Sequence, residues 1–154
     1  MIISEVMTRE VRVASPDDTL QRVARVMKEE DFGSLPVAEN DRLVGMLTDR
    51  DITVRAVARG LPPQESKVRD IMSTEVRYVY DYESVRDVAQ VMGDLHVRRL
   101  PVLNRNKRLV GIVSLGDLAL STPTSAGDAL QSIADAPASA SNKDGTEQKT
   151  CAAN

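Results

Sequence analysis

Met7-Thr8 recurs 65 residues later as Met72-Ser73, and Val23-Ala24 with Met27 recurs at the same offset as Val88-Ala89 with Met92. Leu35-Pro36-Val37 returns as Leu100-Pro101-Val102, again after 65 residues. Beyond that point the offset is 66: Leu43-Val44-Gly45 matches Leu109-Val110-Gly111, Thr48 matches Ser114, and Asp51 matches Asp117. The added residue falls in a polar turn, Glu39 to Arg42 in one copy and Asn104 to Arg108 in the other. Length changes belong in turns when the flanking strands pair. The chain is therefore a duplicated unit, and a unit this small buries its apolar surface only against a neighbour.

Each copy reads in one order. A short segment of helical spacing, Ile3 to Met7 or Val68 to Met72, precedes a brief strand, Val11 to Ala14 or Val76 to Tyr80. Ser15-Pro16-Asp17-Asp18 and Asp81-Tyr82-Glu83-Ser84 supply cap residues and early acids. The following helices carry Leu20, Val23, Ala24 and Met27, and Val85, Val88, Ala89 and Met92, an amphipathic stripe at i, i+3, i+4, i+7. Apolar strands follow at Leu35 to Ala38 and Leu43 to Leu47, and at Leu100 to Leu103 and Leu109 to Val113. A helix is expected from Asp49 to Arg59, stopped by Gly60 and Pro62-Pro63.

The expected fold class is α/β, more fully α+β: two β-α-β-β-α repeats packed sheet to sheet with pseudo-twofold symmetry. Repeat one is placed at 1–60, a linker at 61–67 and repeat two at 68–120. The stretch 121–154 reads as a polar, disordered tail, with a faint apolar pattern only from Ala129 to Ile133.

Composition excludes several functions. With a net charge of −3 and a sequence pI near 5.2, nothing argues for nucleic-acid binding, and an aromatic content of 3% leaves no stacking platform for single strands. The single cysteine, Cys151, sits in the polar tail and can form no internal disulfide or thiolate cluster. The single histidine, His96, reads as a helix-end residue, and no metal site is expected. No apolar run approaches the ~20 residues that span a bilayer. No nucleophile–base set or P-loop appears. The expectation is a soluble, cytoplasmic protein that is not an enzyme.

Gly33-Ser34-Leu35-Pro36-Val37 followed by Leu43-Val44-Gly45-Met46-Leu47-Thr48-Asp49-Arg50-Asp51, and Val97-Arg98-Arg99-Leu100-Pro101-Val102 followed by Leu109-Val110-Gly111-Ile112-Val113-Ser114-Leu115-Gly116-Asp117, resemble the tandem CBS-domain module, named after cystathionine β-synthase. The resemblance covers about residues 1–120, and with no further domain attached the chain looks like a stand-alone member. It implies a regulatory module whose clefts hold an adenosine nucleotide. AMP, ADP or ATP are favoured, and S-adenosylmethionine or NAD are the alternatives. It also implies a disc-shaped homodimer and a protein partner that reads the bound state.

Thr48-x-x-Asp51 and Ser114-x-x-Asp117 each stand where a strand gives way to a helix. A carboxylate there can accept hydrogen bonds from both hydroxyls of a ribose, and a hydroxyl at a helix N-terminus can donate to a phosphate. The same residues also make ordinary N-caps, and spacing alone does not separate the two roles. The resemblance implies that each cleft borrows the segment before the other repeat's proline. Asp51 would then share a ligand with Val97, Arg98 and Arg99, and Asp117 with Gly33, Ser34 and Leu35. Arg50 is a further phosphate candidate. Val13, Leu35 and Met46, with Val79, Leu100 and Ile112, could border an adenine but read equally as core. A scaffold that binds no ligand is the competing function.

Overall fold

The computed structural model describes residues 1–135 of the 154. In repeat one, α1 (Leu20–Glu30) leads to strands β1 (Ser34–Glu39) and β2 (Arg42–Thr48). A short helix α2 (Asp49–Asp51) then widens into a π-helical stretch, Ile52–Val57. Repeat two has β3 (Val79–Tyr80), α3 (Val85–Leu95), β4 (Arg99–Leu103), β5 (Leu109–Ser114) and α4 (Leu115–Ser121), followed by α5 (Pro123–Asp135). The chain is a mixed α/β protein in which each repeat carries its own sheet and helices.

The helices start as their caps dictate. Thr19 Oγ1 accepts the Arg22 N–H and Ser84 Oγ accepts the Asp87 N–H, each satisfying a donor that the first turn leaves open. Both helices end on a left-handed residue, Asp31 and His96, each at φ 54°. His96 is thus the helix end that the sequence suggests. β1 and β2 are joined through Asn40 and Asp41, both at positive φ, the conformation a tight hairpin demands. Both repeats carry a β-bulge at the same place, Val37/Ala38 and Val102/Leu103.

The first strands differ between the copies. In repeat two, β3 lies parallel to β4, and the Asp81 N–H extends the ladder to the Leu103 carbonyl at 2.9 Å. In repeat one only Ala14 bridges to Val37, and no full strand forms over Val11 to Ala14. The residue matching Asp81 is Pro16, which has no N–H to donate. The chain's three tyrosines also reinforce β3. Tyr80 stacks on Tyr82 at 5.2 Å, Tyr78 meets Tyr80 edge-on at 5.5 Å, and the Arg105 guanidinium lies 4.3 Å over the Tyr82 ring.

The compact units do not coincide with the repeats. Among the described residues, one unit joins Met1–Val11 to residues 77–135; the other is built on Arg12–Val76. The opening segment of each repeat therefore packs with the other repeat's strands, and the boundaries drawn at 60 and 68 do not mark these units. Thr8 and Ile112 exchange two backbone hydrogen bonds of 2.9 Å, and Met46 and Ser73 do the same. The approach is close because Gly111 and Gly45 lie beside these bridges. A Cβ at Gly111 would lie 2.9 Å from the Thr8 carbonyl oxygen, and one at Gly45 2.9 Å from that of Ser73. Each unit has its own core: Ile3, Met7, Val88, Met92, Leu100 and Leu118 in one, and Leu20, Val23, Leu35, Leu47, Val68 and Ile71 in the other.

The stretch from 121 onward is corrected in part. Residues 123–135 form α5 rather than a disordered tail, opening with proline at its first position. Its buried residues are small, Ala126 and Ala129, with Ile133 partly buried. They seat against α3, where a Cβ on Gly93 would come 3.3 Å from the Ala129 Cα. A stripe of alanines escapes a search for large apolar residues. This packing also explains an inequality in the stripes: Ala89 is buried, whereas its counterpart Ala24 is exposed. The disorder expected for Pro137 to Asn154, and Cys151 with it, lies outside the described residues.

Two tests follow from this packing. Gly45→Ala and Gly111→Ala should each lower unfolding free energy by about 1–3 kcal/mol, the cost of overpacking a tight contact, measured by urea denaturation. The second concerns Asp17, whose carboxyl accepts a hydrogen bond from Arg69 and faces Lys67 at 3.8 Å. The Arg69 bond, then the charges of Arg69 and Lys67, hold this carboxyl below its ordinary range. A lowered folded pKa stabilises above the unfolded value, near ~3.9, and that contribution disappears as pH falls through the folded pKa. Asp17→Asn should therefore flatten the loss of stability below about pH 4, read from melting temperatures across that range.

Candidate functional site

Where β2 becomes α2, the Thr48 N–H donates to Asp51 Oδ2 at 2.9 Å and the Asp51 N–H donates to Thr48 Oγ1 at 3.0 Å. This is a capping box with aspartate in the place usually taken by glutamate. Where β5 becomes α4, the Ser114 N–H donates to Asp117 Oδ2 at 2.8 Å and the Asp117 N–H donates to Ser114 Oγ at 3.2 Å. The residues suggested by the sequence thus form the same box twice, and the cap reading is met in full.

Capping leaves acceptor capacity unused. A carboxylate offers about four lone-pair sites, and each box occupies only Oδ2. Both aspartates are partly exposed. The hydroxyls differ: Ser114 Oγ donates its hydrogen to Asp117 Oδ2 at 2.8 Å, whereas Thr48 Oγ1 makes no such donation among the described residues. Thr48 therefore keeps a donor at the start of its helix, and Ser114 has spent its own. Asp117 opens on a cavity of about 400 Å³ lined by Met1, Glu5, Val6, Leu120 and Ser121. Its lining combines the carboxylates of Asp117 and Glu5 with apolar side chains and the chain's first residue, Met1.

The remaining candidates fall as follows. Ser34 pairs with Thr48 across β1 and β2, and the Gly33 carbonyl accepts the Asp49 N–H at 2.9 Å, so Gly33 and Ser34 lie beside the Thr48–Asp51 box. Arg99 pairs with Ser114, and the Arg98 carbonyl accepts the Leu115 N–H at 2.9 Å, which sets both arginines beside the Ser114–Asp117 box. Both arginine side chains are exposed, as is Arg50; Val97 packs partly on its unit's core. Leu35, Leu100 and Val79 are buried core residues, whereas Met46 and Ile112 are half-buried and Val13 is 45% exposed.

One residue that sequence reasoning missed stands out. Arg55, one turn beyond Asp51, places Nε 3.8 Å from Asp51 Oδ1. Its Nη1 donates to the Ile71 carbonyl at 3.1 Å and to Ser73 Oγ at 3.3 Å. The i, i+4 spacing from Asp51 was a readable signal; the partners in the 71–73 segment were not. Among the described residues no group of three or more His, Cys, Asp or Glu side chains could hold a metal ion, and no helix is long and apolar enough to cross a membrane.

Duplicated strand-to-helix boxes on paired α/β repeats define a class. The CBS domain family model matches residues 3–57 and 68–121, and the chain belongs to this family as a tandem pair. It is 43% identical over 133 residues to the CBS domain-containing protein YhcV of Bacillus subtilis, covering 85% of this chain and 94% of that protein. Among solved structures it is similar to Hypoxic Response Protein I with two coordinated zinc ions, at 36% identity and TM-score 0.71, covering 79% of this chain and 98% of that one. A curated Hypoxic response protein 1 from Mycobacterium tuberculosis is 38% identical over 120 residues, 77% of this chain and 83% of that protein. CBSX2 from Arabidopsis thaliana, solved in complex with AMP, has a TM-score of 0.69 at 22% identity over 80% of this chain and 96% of that one, a likeness of fold.

Proposed function

We propose that this chain is a non-catalytic regulatory module that binds an adenosine nucleotide, AMP or ATP before S-adenosylmethionine or NAD. Asp51 and Asp117 are the ribose acceptors. The observation that carries this reading is the box itself: each aspartate is oriented by two backbone contacts yet keeps unused lone pairs beside a helix N-terminus. Thr48, with an unspent hydroxyl hydrogen, is the phosphate donor, and Arg50 is a further candidate. CBSX2 with AMP illustrates that the fold accommodates such a ligand.

The family resemblance implies that Val97, Arg98 and Arg99 join the Asp51 ligand, and Gly33, Ser34 and Leu35 the Asp117 ligand with Ser114, whereas the strand pairing sets Gly33 and Ser34 beside the first box and Arg98 and Arg99 beside the second. Pairing of modules into a homodimer, a protein partner that senses occupancy, and a cytoplasmic setting complete the proposal. A ligand can shift such a module only through different affinities for its two arrangements.

The competing reading, a ligand-independent scaffold, is favoured by one observation: both carboxylates already have work as caps. Asp51→Asn separates the two, because the amide oxygen still accepts the Thr48 N–H while the negative charge is lost. Calorimetry should find AMP affinity at this site lowered about tenfold or more, the worth of a charge-assisted hydrogen bond, with binding at Asp117 kept. The melting temperature of the free variant should change little. A ligand at 100 times its Kd adds about 2.7 kcal/mol, so an unmoved melting temperature with millimolar AMP, ATP, NAD and S-adenosylmethionine would establish the scaffold instead.

A further inference from the structure

The two boxes are chemically unequal, and the inequality lies four residues downstream. At the offset of 66 that relates Asp51 to Asp117, Arg55 corresponds to Ser121. Ser121 turns its hydroxyl back onto its own helix, donating to the Leu118 carbonyl at 3.2 Å. Arg55 instead brings a permanent positive charge to the Asp51 carboxylate, on the oxygen that the cap does not use.

This guanidinium is held in place. Its side chain is 44% exposed, but Nη1 is fastened at two points to the 71–73 segment, which is itself bridged to β2 through Ser73 and Met46. A guanidinium has five N–H donors. The Nη2 donors of Arg55 make no hydrogen bond among the described residues, and the Nε faces Asp51 without reaching hydrogen-bond distance. The outcome is a preorganised cation with donors in reserve, beside a carboxylate that would otherwise repel a phosphate. Beside the Asp117 box stand Arg98 and Arg99, both exposed, and the cavity there adds Glu5.

We propose that Arg55 is the specificity-determining residue of the Asp51 site, making it accept phosphorylated, anionic nucleosides over uncharged ones. The proposal rests on the nucleotide reading above and adds to it the side chain through which the Asp51 site selects phosphates. A purely structural Arg55, tying the helix to the 71–73 segment, would influence every ligand alike. A specificity residue distinguishes ligands by charge.

The test uses the full chain carrying Asp117→Asn, so that the Asp51 site alone is read, with adenosine, AMP and ATP titrated by calorimetry at two salt concentrations. In this background AMP and ATP should bind more tightly than adenosine. Adding Arg55→Gln should weaken AMP and ATP about tenfold, the lower end for a charge-assisted contact at a partly exposed site. Adenosine affinity should stay within about twofold, and the salt dependence of ATP binding should shrink. Arg55→Lys, which keeps the charge and loses the fork, should retain the preference for AMP over adenosine. Equal weakening of all three ligands by Arg55→Gln, or no change in any, overturns the proposal and leaves the nucleotide reading standing. If none of the three binds before Arg55 is altered, both fall together.

Discussion

The reciprocal hydrogen bonding between Thr48 and Asp51, repeated by Ser114 and Asp117, is the interaction on which this molecule turns. A strand that ends by starting a helix leaves backbone donors without partners. A short acid three residues into the helix resolves this at once, because its carboxylate reaches back to the residue at the turn. The same bonds fix the carboxylate on the surface of the junction. Under the proposed function the structural duty prepares a second one: an acid whose position is already determined loses little conformational freedom on meeting a ligand.

Around these junctions the repeats complete each other's architecture. Segments 1–11 and 68–76 lie with strands of the repeat to which they do not belong, and glycines at 45 and 111 allow backbone to meet backbone there. Duplication alone would make the halves equivalent, yet several substitutions have made them differ. Pro16 against Asp81 reduces one first strand to a single bridge. Gly93 against Lys28 lets α5 lie close on α3, and among the described residues α1 has no such cover. Arg55 against Ser121 changes the charge beside one acid.

Much of this was legible in the sequence because the repeat supplied two readings of every element. The strands around Leu35-Pro36-Val37 and Leu100-Pro101-Val102, the helices from Leu20 and Val85, and the pairs Thr48/Asp51 and Ser114/Asp117 appear where pattern and spacing place them. Local signals sufficed there, because caps, periodicity and turns are set by near neighbours. What escaped depended on distant partners. Nothing near Met7 announces that it packs with Gly111, and nothing near Arg55 announces Ile71 and Ser73. The alanines of α5 bury a face only because Gly93 and Ala89 leave room for them, so their apolar character was too slight to read alone. Whether an acid at a junction caps, binds or does both is likewise invisible to spacing.

The account's central claim is that one carboxylate both caps a helix and grips a vicinal diol. Comparing AMP with 2′,3′-dideoxy-AMP isolates that diol without altering the protein. Calorimetry on the wild-type chain should give saturable AMP binding and, for the dideoxy analogue, an affinity lower by at least about tenfold, the value of hydrogen bonds to a charged acceptor. Equal affinities for the two would contradict the claim, reducing Asp51 and Asp117 to helix caps.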